Sequence, residues 1–170
     1  MRDLADVIVV GSGAAGASAA FHLAARGRSV TLLERQNLPR PKPCGGGMAA
    51  SVQRWFPFDL SPVVDQVIEQ VRFTWCLQDP VTAVLPGDSP FWIVRRSKLD
   101  AYLAEQASAA GARVLTGEAV EQIERDGDHW RVVLAGGQSL ASRGLVVADG
   151  SSSRFAQPLG LGPARPRYAS

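Results

Sequence analysis

Short apolar runs punctuated by glycine organise the first third of the chain. Asp6-Val-Ile-Val-Val10 is continuous and β-branched, the pattern of a parallel strand buried on both faces, and it runs into Gly11. Residues 14–26 follow with many alanines, Phe21 and Leu23, and Gly27 just past Arg26 supplies the stop expected of a helix. Ser29-Val-Thr-Leu-Leu33 then reads as a second strand, completing a βαβ unit in about thirty residues.

Beyond a Pro/Gly-rich loop at 39–47 the period changes. Val67, Glu69, Val71, Phe73, Trp75 and Leu77 share one face of a period-2 segment, and Val81 to Leu85 and Phe91 to Val94 continue as strands. Residues 55–94 are therefore expected to form a small antiparallel sheet inserted into the α/β layer. Ser97-Lys-Leu-Asp100 predicts a helix start, a hydroxyl cap with an acid three residues on, and Leu99, Tyr102, Leu103, Ala107 and Ala110 make its apolar stripe up to Gly111. Ala112 to Thr116 is a strand. Ala119 to Ile123 and Trp130 to Leu134 flank the hairpin signal Asp126-Gly-Asp128, and Leu145 to Ala148 returns to the buried-strand pattern before Asp149-Gly150. The fold class these elements imply is α/β, a Rossmann-like sheet with a β meander and the inserted antiparallel sheet.

Composition narrows the partners. With 170 residues and 46% apolar side chains the chain has enough material for one domain with a core. Its 18 basic and 16 acidic side chains are dispersed and leave a formal charge of +2, so no basic field for nucleic acid is expected. Cys44 and Cys76 are the only cysteines and lack CxxC spacing, which indicates neither a disulfide framework nor a zinc site and fits a reducing cytoplasm. Arg2, Asp3 and Asp6 place charge where a signal peptide would begin, and Val7 to Val10 is too short for a signal core or a membrane span. The Gly/Pro-rich stretch 158–166 is expected to be a frayed end.

The chemistry concentrates at Gly11-Ser-Gly13-Ala14-Ala15-Gly16. A bare GxGxxG is a weak signal, but here it follows a strand, opens a helix and has Glu34 eighteen positions after Gly16 at the end of the next strand. Gly11 permits the tight turn, Gly13 lets the backbone approach a pyrophosphate, and Gly16 lets the helix pack close to the strands. Free N–H groups and the helix dipole then favour the phosphates, while the Glu34 carboxylate accepts from both ribose hydroxyls and disfavours a 2'-phosphate. NADP is thus disfavoured at this site, leaving FAD or NAD.

Read together, four features make the chain resemble the geranylgeranyl reductase family of FAD-dependent oxidoreductases, within the p-hydroxybenzoate hydroxylase-like flavoprotein fold. They are the fingerprint with Glu34-Arg35, the loop Pro39-Arg-Pro-Lys-Pro-Cys-Gly-Gly-Gly47, Arg96-Ser-Lys-Leu-Asp100, and Ala148-Asp-Gly150. The loop discriminates, since the other motifs are shared with monooxygenases, halogenases and lycopene cyclases. The resemblance implies an FAD-binding domain over residues 1–170, incomplete relative to the family, with 55–94 as part of the substrate-side sheet. It implies that Gly11, Gly13, Ala14, Ala15 and Gly16 line the pyrophosphate, that Glu34, followed by Arg35, holds the adenosine ribose, and that Cys44, Gly45 and Gly47 pass beside the flavin ring. Arg96 would reach the flavin side, Val120 would hold adenine through its main chain, and Asp149 would lie near the pyrophosphate. Two positions depart from the pattern: Ala14 replaces a usual proline, and Val147 replaces a glycine two residues before Asp149.

The implied reaction is reduction of a carbon-carbon double bond in a prenyl chain by hydride from reduced FAD, with NAD(P)H as a transient donor or a ferredoxin-like protein in its place. No second GxGxxG marks a separate nicotinamide domain. Competing expectations are a flavin monooxygenase and a truncated, non-catalytic FAD- or ADP-binding module. A prenyl substrate also makes peripheral membrane contact compatible with a cytoplasmic protein.

Other conspicuous residues have plainer readings. Cys44 is a candidate beside the flavin and equally a small residue in a tight loop, whereas Cys76 within the aromatic strand is expected to pack. His22 and His129, each alone, are expected to be structural or solvated. Trp55, Phe56, Phe58, Phe73, Trp75, Phe91 and Trp92 are read as sheet core in preference to a prenyl wall. Of Arg95 and Arg96, only the second is supported by motif position.

Overall fold

The computed structural model describes residues 4–87 and 90–162, and in it the apolar runs become the inner strands of one sheet. In chain order the elements are β1 (Ala5–Val10), α1 (Ala14–Ala24), β2 (Val30–Glu34), β3 (Gly47–Ala49), β4 (Val64–Ile68), β5 (Gln70–Trp75), β6 (Gln78–Val84) and β7 (Phe91–Val94), then α2 (Arg96–Ala109), β8 (Arg113–Thr116), β9 (Val120–Asp126), β10 (His129–Leu134) and β11 (Ser139–Val147). Of the described residues, those up to Pro39 and from Asp100 onward form one compact unit, and Arg40–Leu99 forms a second.

The first unit holds a six-stranded sheet in the order β8-β2-β1-β11-β10-β9. β1 pairs in parallel with both β2 and β11, and β2 in parallel with β8, while β9, β10 and β11 form the antiparallel meander. Strands flanked by neighbours and covered by α1 must be apolar on both faces, and Ile8, Val9, Val10, Leu32 and Leu33 are all buried. Ala17 and Ala20 are buried too, so α1 offers its alanines to the strands. Ile8, Val10, Leu33, Val120, Val132 and Leu134 form a cluster that joins the parallel strands to the meander. This is the predicted α/β arrangement with its meander.

β11 is longer than the apolar run predicts. Residues 139–142 pair with β10, and the same strand continues from Ser142 alongside β1. Polar Ser139, Ser142 and Arg143 belong to it because half its length serves an antiparallel neighbour. At α2 the expected Ser97 cap is overturned: Lys98 and Leu99 N–H donate to the Arg95 carbonyl at 3.0 and 2.9 Å, so the helix begins two residues earlier than a Ser97 cap would place it, with Ser97 inside its first turn.

The second unit holds a three-stranded sheet, β3-β7-β4, and the separate hairpin β5-β6. The period-2 segment expected across 67–77 is two strands, broken at Glu69, whose carbonyl accepts from Leu85 N–H at 2.8 Å. Its aromatic side chains are not core. Phe73 is 59%, Trp75 77% and Leu77 93% exposed, and Trp55 is exposed as well. Cys76, expected to pack, is an exposed free thiol in the two-residue turn closed by the Trp75–Gln78 pair. The physical reason is that, among the described residues, β5 and β6 pair with each other alone, so alternation sets a face that stays exposed. The stretch 158–166, expected to be frayed, lies partly outside the described residues, which end at Gly162.

Candidate cofactor site

Gly11 to Gly13 turn the chain from β1 into α1 at the carboxyl end of the parallel strands. Gly11 N–H donates to the Leu33 carbonyl at 2.8 Å, and Ala148 N–H to the Val10 carbonyl at 2.8 Å, so the turn is seated between the ends of β2 and β11. No side chain fits there. Gly11 has φ +98°, and a Cβ on it would meet the Ala148 carbonyl oxygen at 2.5 Å and Asp149 Cα at 3.0 Å. A Cβ on Gly16 would meet the Gly11 carbonyl oxygen at 1.8 Å, so this glycine lets α1 start directly beneath the turn. Gly13 caps α1 in an extended conformation with no side-chain hydrogen bond, leaving the first-turn amides of Ala14 and Ala15 to an anion.

Glu34, the acid expected to meet the ribose, is tied to the same turn. Glu34 is the last residue of β2 and is 4% exposed. Its Oε2 accepts from Ser12 N–H at 3.1 Å and its Oε1 from Gln36 N–H at 3.1 Å. The turn and the acid are thus joined directly, which fixes the orientation of the carboxylate. Ser12 Oγ and Asp149 Oδ1 are buried without a hydrogen-bond partner among the described residues. Such groups are costly to leave bare, and they mark where polar atoms of a ligand or its water shell belong. Ser12 went unread because it fills a variable position of the motif; a lone hydroxyl among glycines and alanines was the available signal.

Val120 opens β9 two residues after Glu118. Glu118 N–H donates to the Glu34 carbonyl at 2.9 Å, and the Val120 side chain is in the core. Gly11, Gly13, Ala14, Ala15, Gly16, Glu34, Val120 and Asp149 therefore belong to the first unit, with Arg35 exposed just past β2. Cys44, Gly45, Gly47 and Arg96 belong to the second. There, Gly46 N–H donates to Cys44 Sγ at 3.4 Å, and a Cβ on Gly46 would meet the Val94 carbonyl at 2.1 Å. That glycine serves the approach of the loop to β7, whereas Gly45 has open space around it. Arg95 is committed to Asp65 at 2.6 Å, and Lys98 reaches the same acid at 3.0 Å. Lys98 first, with Arg95, holds the Asp65 carboxyl below the usual carboxylate range. Arg96 is half-buried at the start of α2.

The sequence matches the FAD dependent oxidoreductase family (DAO) over residues 6–76 and 77–170. The chain belongs to this family. Protein FixC of Escherichia coli O157:H7 is 35% identical over 171 residues, covering 94% of this chain and 40% of that protein. The probable electron transfer flavoprotein-quinone oxidoreductase YgcN of Escherichia coli K12 is 30% identical over 167 residues, covering 95% and 39%. The chain thus spans two fifths of the length of the curated relatives it matches. In fold it is similar to a geranylgeranyl bacteriochlorophyll reductase-like protein from Thermoplasma acidophilum, with a TM-score of 0.81 at 22% identity over 95% of this chain and 43% of that one. The halogenase PltM, solved in complex with phloroglucinol and FAD, gives 0.72 at 20% identity over 92% and 36%. These structural likenesses carry the Rossmann-type fold. The family's cofactor is FAD, and the residues fit it: a side-chain-free bend, an uncapped helix start, a pre-oriented acid and two bare buried polar atoms. Among the described residues, no helix is long and apolar enough to cross a membrane.

Proposed function

We propose that this chain binds the ADP half of FAD in the first unit and forms the cofactor-holding part of an oxidoreductase acting on a prenyl chain. One observation carries the cofactor assignment: the Ser12 N–H to Glu34 Oε2 bond, which locks the glycine bend and the sugar acid into one body. When bound, FAD supplies the redox chemistry. The protein's part is to place it. Gly11 and Gly16 keep Cβ atoms out of the bend, the Gly13 to Ala15 main chain meets the diphosphate, Glu34 accepts from the ribose, and Asp149 stands beside Gly11 as a polar contact. In the second unit, Cys44, Gly45, Gly47 and Arg96 are proposed for the flavin side, and residues 55–94 for the substrate side. Prenyl reduction is supported by the Lys42-to-Gly47 loop and by the fold likeness to a geranylgeranyl reductase-like protein.

A second reading, relay of electrons between an electron transfer flavoprotein and a quinone, is favoured by the 30% identity to YgcN. Purified chain is expected to be yellow. Glu34→Ala is expected to weaken FAD at least tenfold, consistent with losing a charged acceptor; retained flavin absorbance after dialysis of this variant would reject the site. Anaerobic mixing of the photoreduced protein with a prenyl diphosphate or with a short-chain quinone separates the two reactions by which addition restores the oxidised spectrum.

A further inference from the structure

The β5-β6 hairpin has an apolar and a polar side. Val71 lies opposite Ala83 and Phe73 opposite Val81, so these four side chains share one face, and Trp75 joins them two residues on. Gln70, Arg72 and Thr74 occupy the other face of β5. Phe73, Trp75 and Val81 are all exposed. Two strands with an open apolar face are marginal in water, and a sheet of more strands is the arrangement that such a face suits.

The two edges of the hairpin differ in whether they can accept another strand. Between the Phe73–Val81 and Trp75–Gln78 pairs, β6 has Asp79 and Pro80 where β5 has Thr74 alone, so β6 carries a bulge. Asp79 has φ +49° there, and Pro80 has no N–H to donate. A bulge and a proline are the features that stop further pairing at a sheet edge. β5 has neither over Gln70–Trp75, and among the described residues its outer edge pairs with no strand.

The sequence of β5 fits itself. An antiparallel copy prolongs the apolar face when it is centred on Phe73: Phe73 then meets Phe73, Val71 meets Trp75, and on the polar face Arg72 meets Thr74. Centring on Arg72 would set like charges directly opposite each other, and centring on Thr74 would overlap residues 73–75 alone. We propose that two copies of this chain associate edge to edge through β5, about a two-fold axis at Phe73, to form a four-stranded sheet in the order β6-β5-β5-β6. Growth ends there because both outer edges are then β6 with its bulge and Pro80. The proposal goes beyond the cofactor reading and does not depend on it.

The test is the molar mass of the full chain by sedimentation equilibrium over a concentration series, in wild type, Thr74→Glu and Thr74→Lys. Arg72 and Thr74 are exposed, so neither substitution disturbs a buried contact. Wild type should pass from one chain when dilute to two when concentrated, and no further. Thr74→Glu sets a carboxylate opposite Arg72 of the second copy, twice per dimer, and should lower the dimer Kd about fivefold; Thr74→Lys sets like charges there and should raise it at least about fivefold. A wild type that stays at one chain throughout overturns the proposal, and so does a mass beyond two chains. A dimer whose Kd moves in the same direction in both variants, or in neither, also overturns it, because the contact then lies elsewhere or in another register. If wild type stays at one chain and its tryptophan fluorescence shifts on adding phosphatidylcholine vesicles or a prenyl diphosphate, the face takes an apolar ligand and the proposal is rejected. Should neither variant fold, amide hydrogen exchange of the wild type decides: β5 should exchange more slowly in concentrated than in dilute protein, and unchanged β5 exchange overturns the proposal.

Discussion

Short β-strands build both units, yet the two units treat apolar side chains in opposite ways. In the first, β1 has a neighbour on each edge and α1 against it, and Ile8, Val9 and Leu32 have no exposed surface. In the second, the β5-β6 hairpin carries Phe73 opposite Val81, and both are exposed. Among the described residues of that unit, the buried apolar ones are Leu60, Val63, Val94 and Leu99. Alternation along a strand says which residues share a face. It does not say whether the face is covered, which depends on the number of strands and layers stacked there.

The contrast has measurable consequences. Leu32→Ala in the closed sheet should cost about 2–5 kcal/mol by denaturant unfolding, through lost transfer energy and a cavity; Trp75→Ala in the hairpin should change stability by no more than about 0.5 kcal/mol. Equal effects would break the distinction between the units. Gly16→Ala should come next, at about 1–3 kcal/mol, with FAD binding lost, because its methyl would overlap the Gly11 carbonyl. Leu77→Gly should act in the opposite direction: Leu77 has φ +64°, a left-handed conformation that costs a side-chain-bearing residue, so stability should rise by about 1 kcal/mol. The smallest effect concerns pH. The Asp6 carboxyl is held below its usual range by the Ser29 N–H first and then by the Ser29 hydroxyl. A lowered folded pKa means that its contribution is complete above the unfolded pKa, near pH 4, and is lost as pH falls through the folded value. Asp6→Asn should therefore have a lower Tm than wild type at pH 6, with the difference shrinking below pH 4.

Much of the first unit is legible from composition and period. β1, α1, β2 and the turn at Gly127 follow from apolar runs, glycine stops and Asp126-Gly-Asp128, because each signal acts within a few residues of its effect. The glycine bend and Glu34 are readable for the same reason: motif spacing encodes a strand, a turn and a strand in order. What escaped depends on distant partners. The polar half of β11 is a strand because β10 lies beside it, and no local pattern announces that. The hairpin turn Cys76-Leu77 has two non-glycine residues at positive φ and lacks the Asn-Gly signature that would mark it. The Ser12 bond runs to a group 22 positions away, Glu34, which sequence separation conceals.

β11 is shared without interruption between the meander and the parallel strands, and its last register pair, Val10 with Val147, lies one residue before Ala148 roofs Gly11. Sliding this strand by one position would carry Ala148 about 3.3 Å along the sheet. The clearance over Gly11 does not admit even a methyl group, so the antiparallel hairpins act as the gauge block that sets the height of the glycine bend.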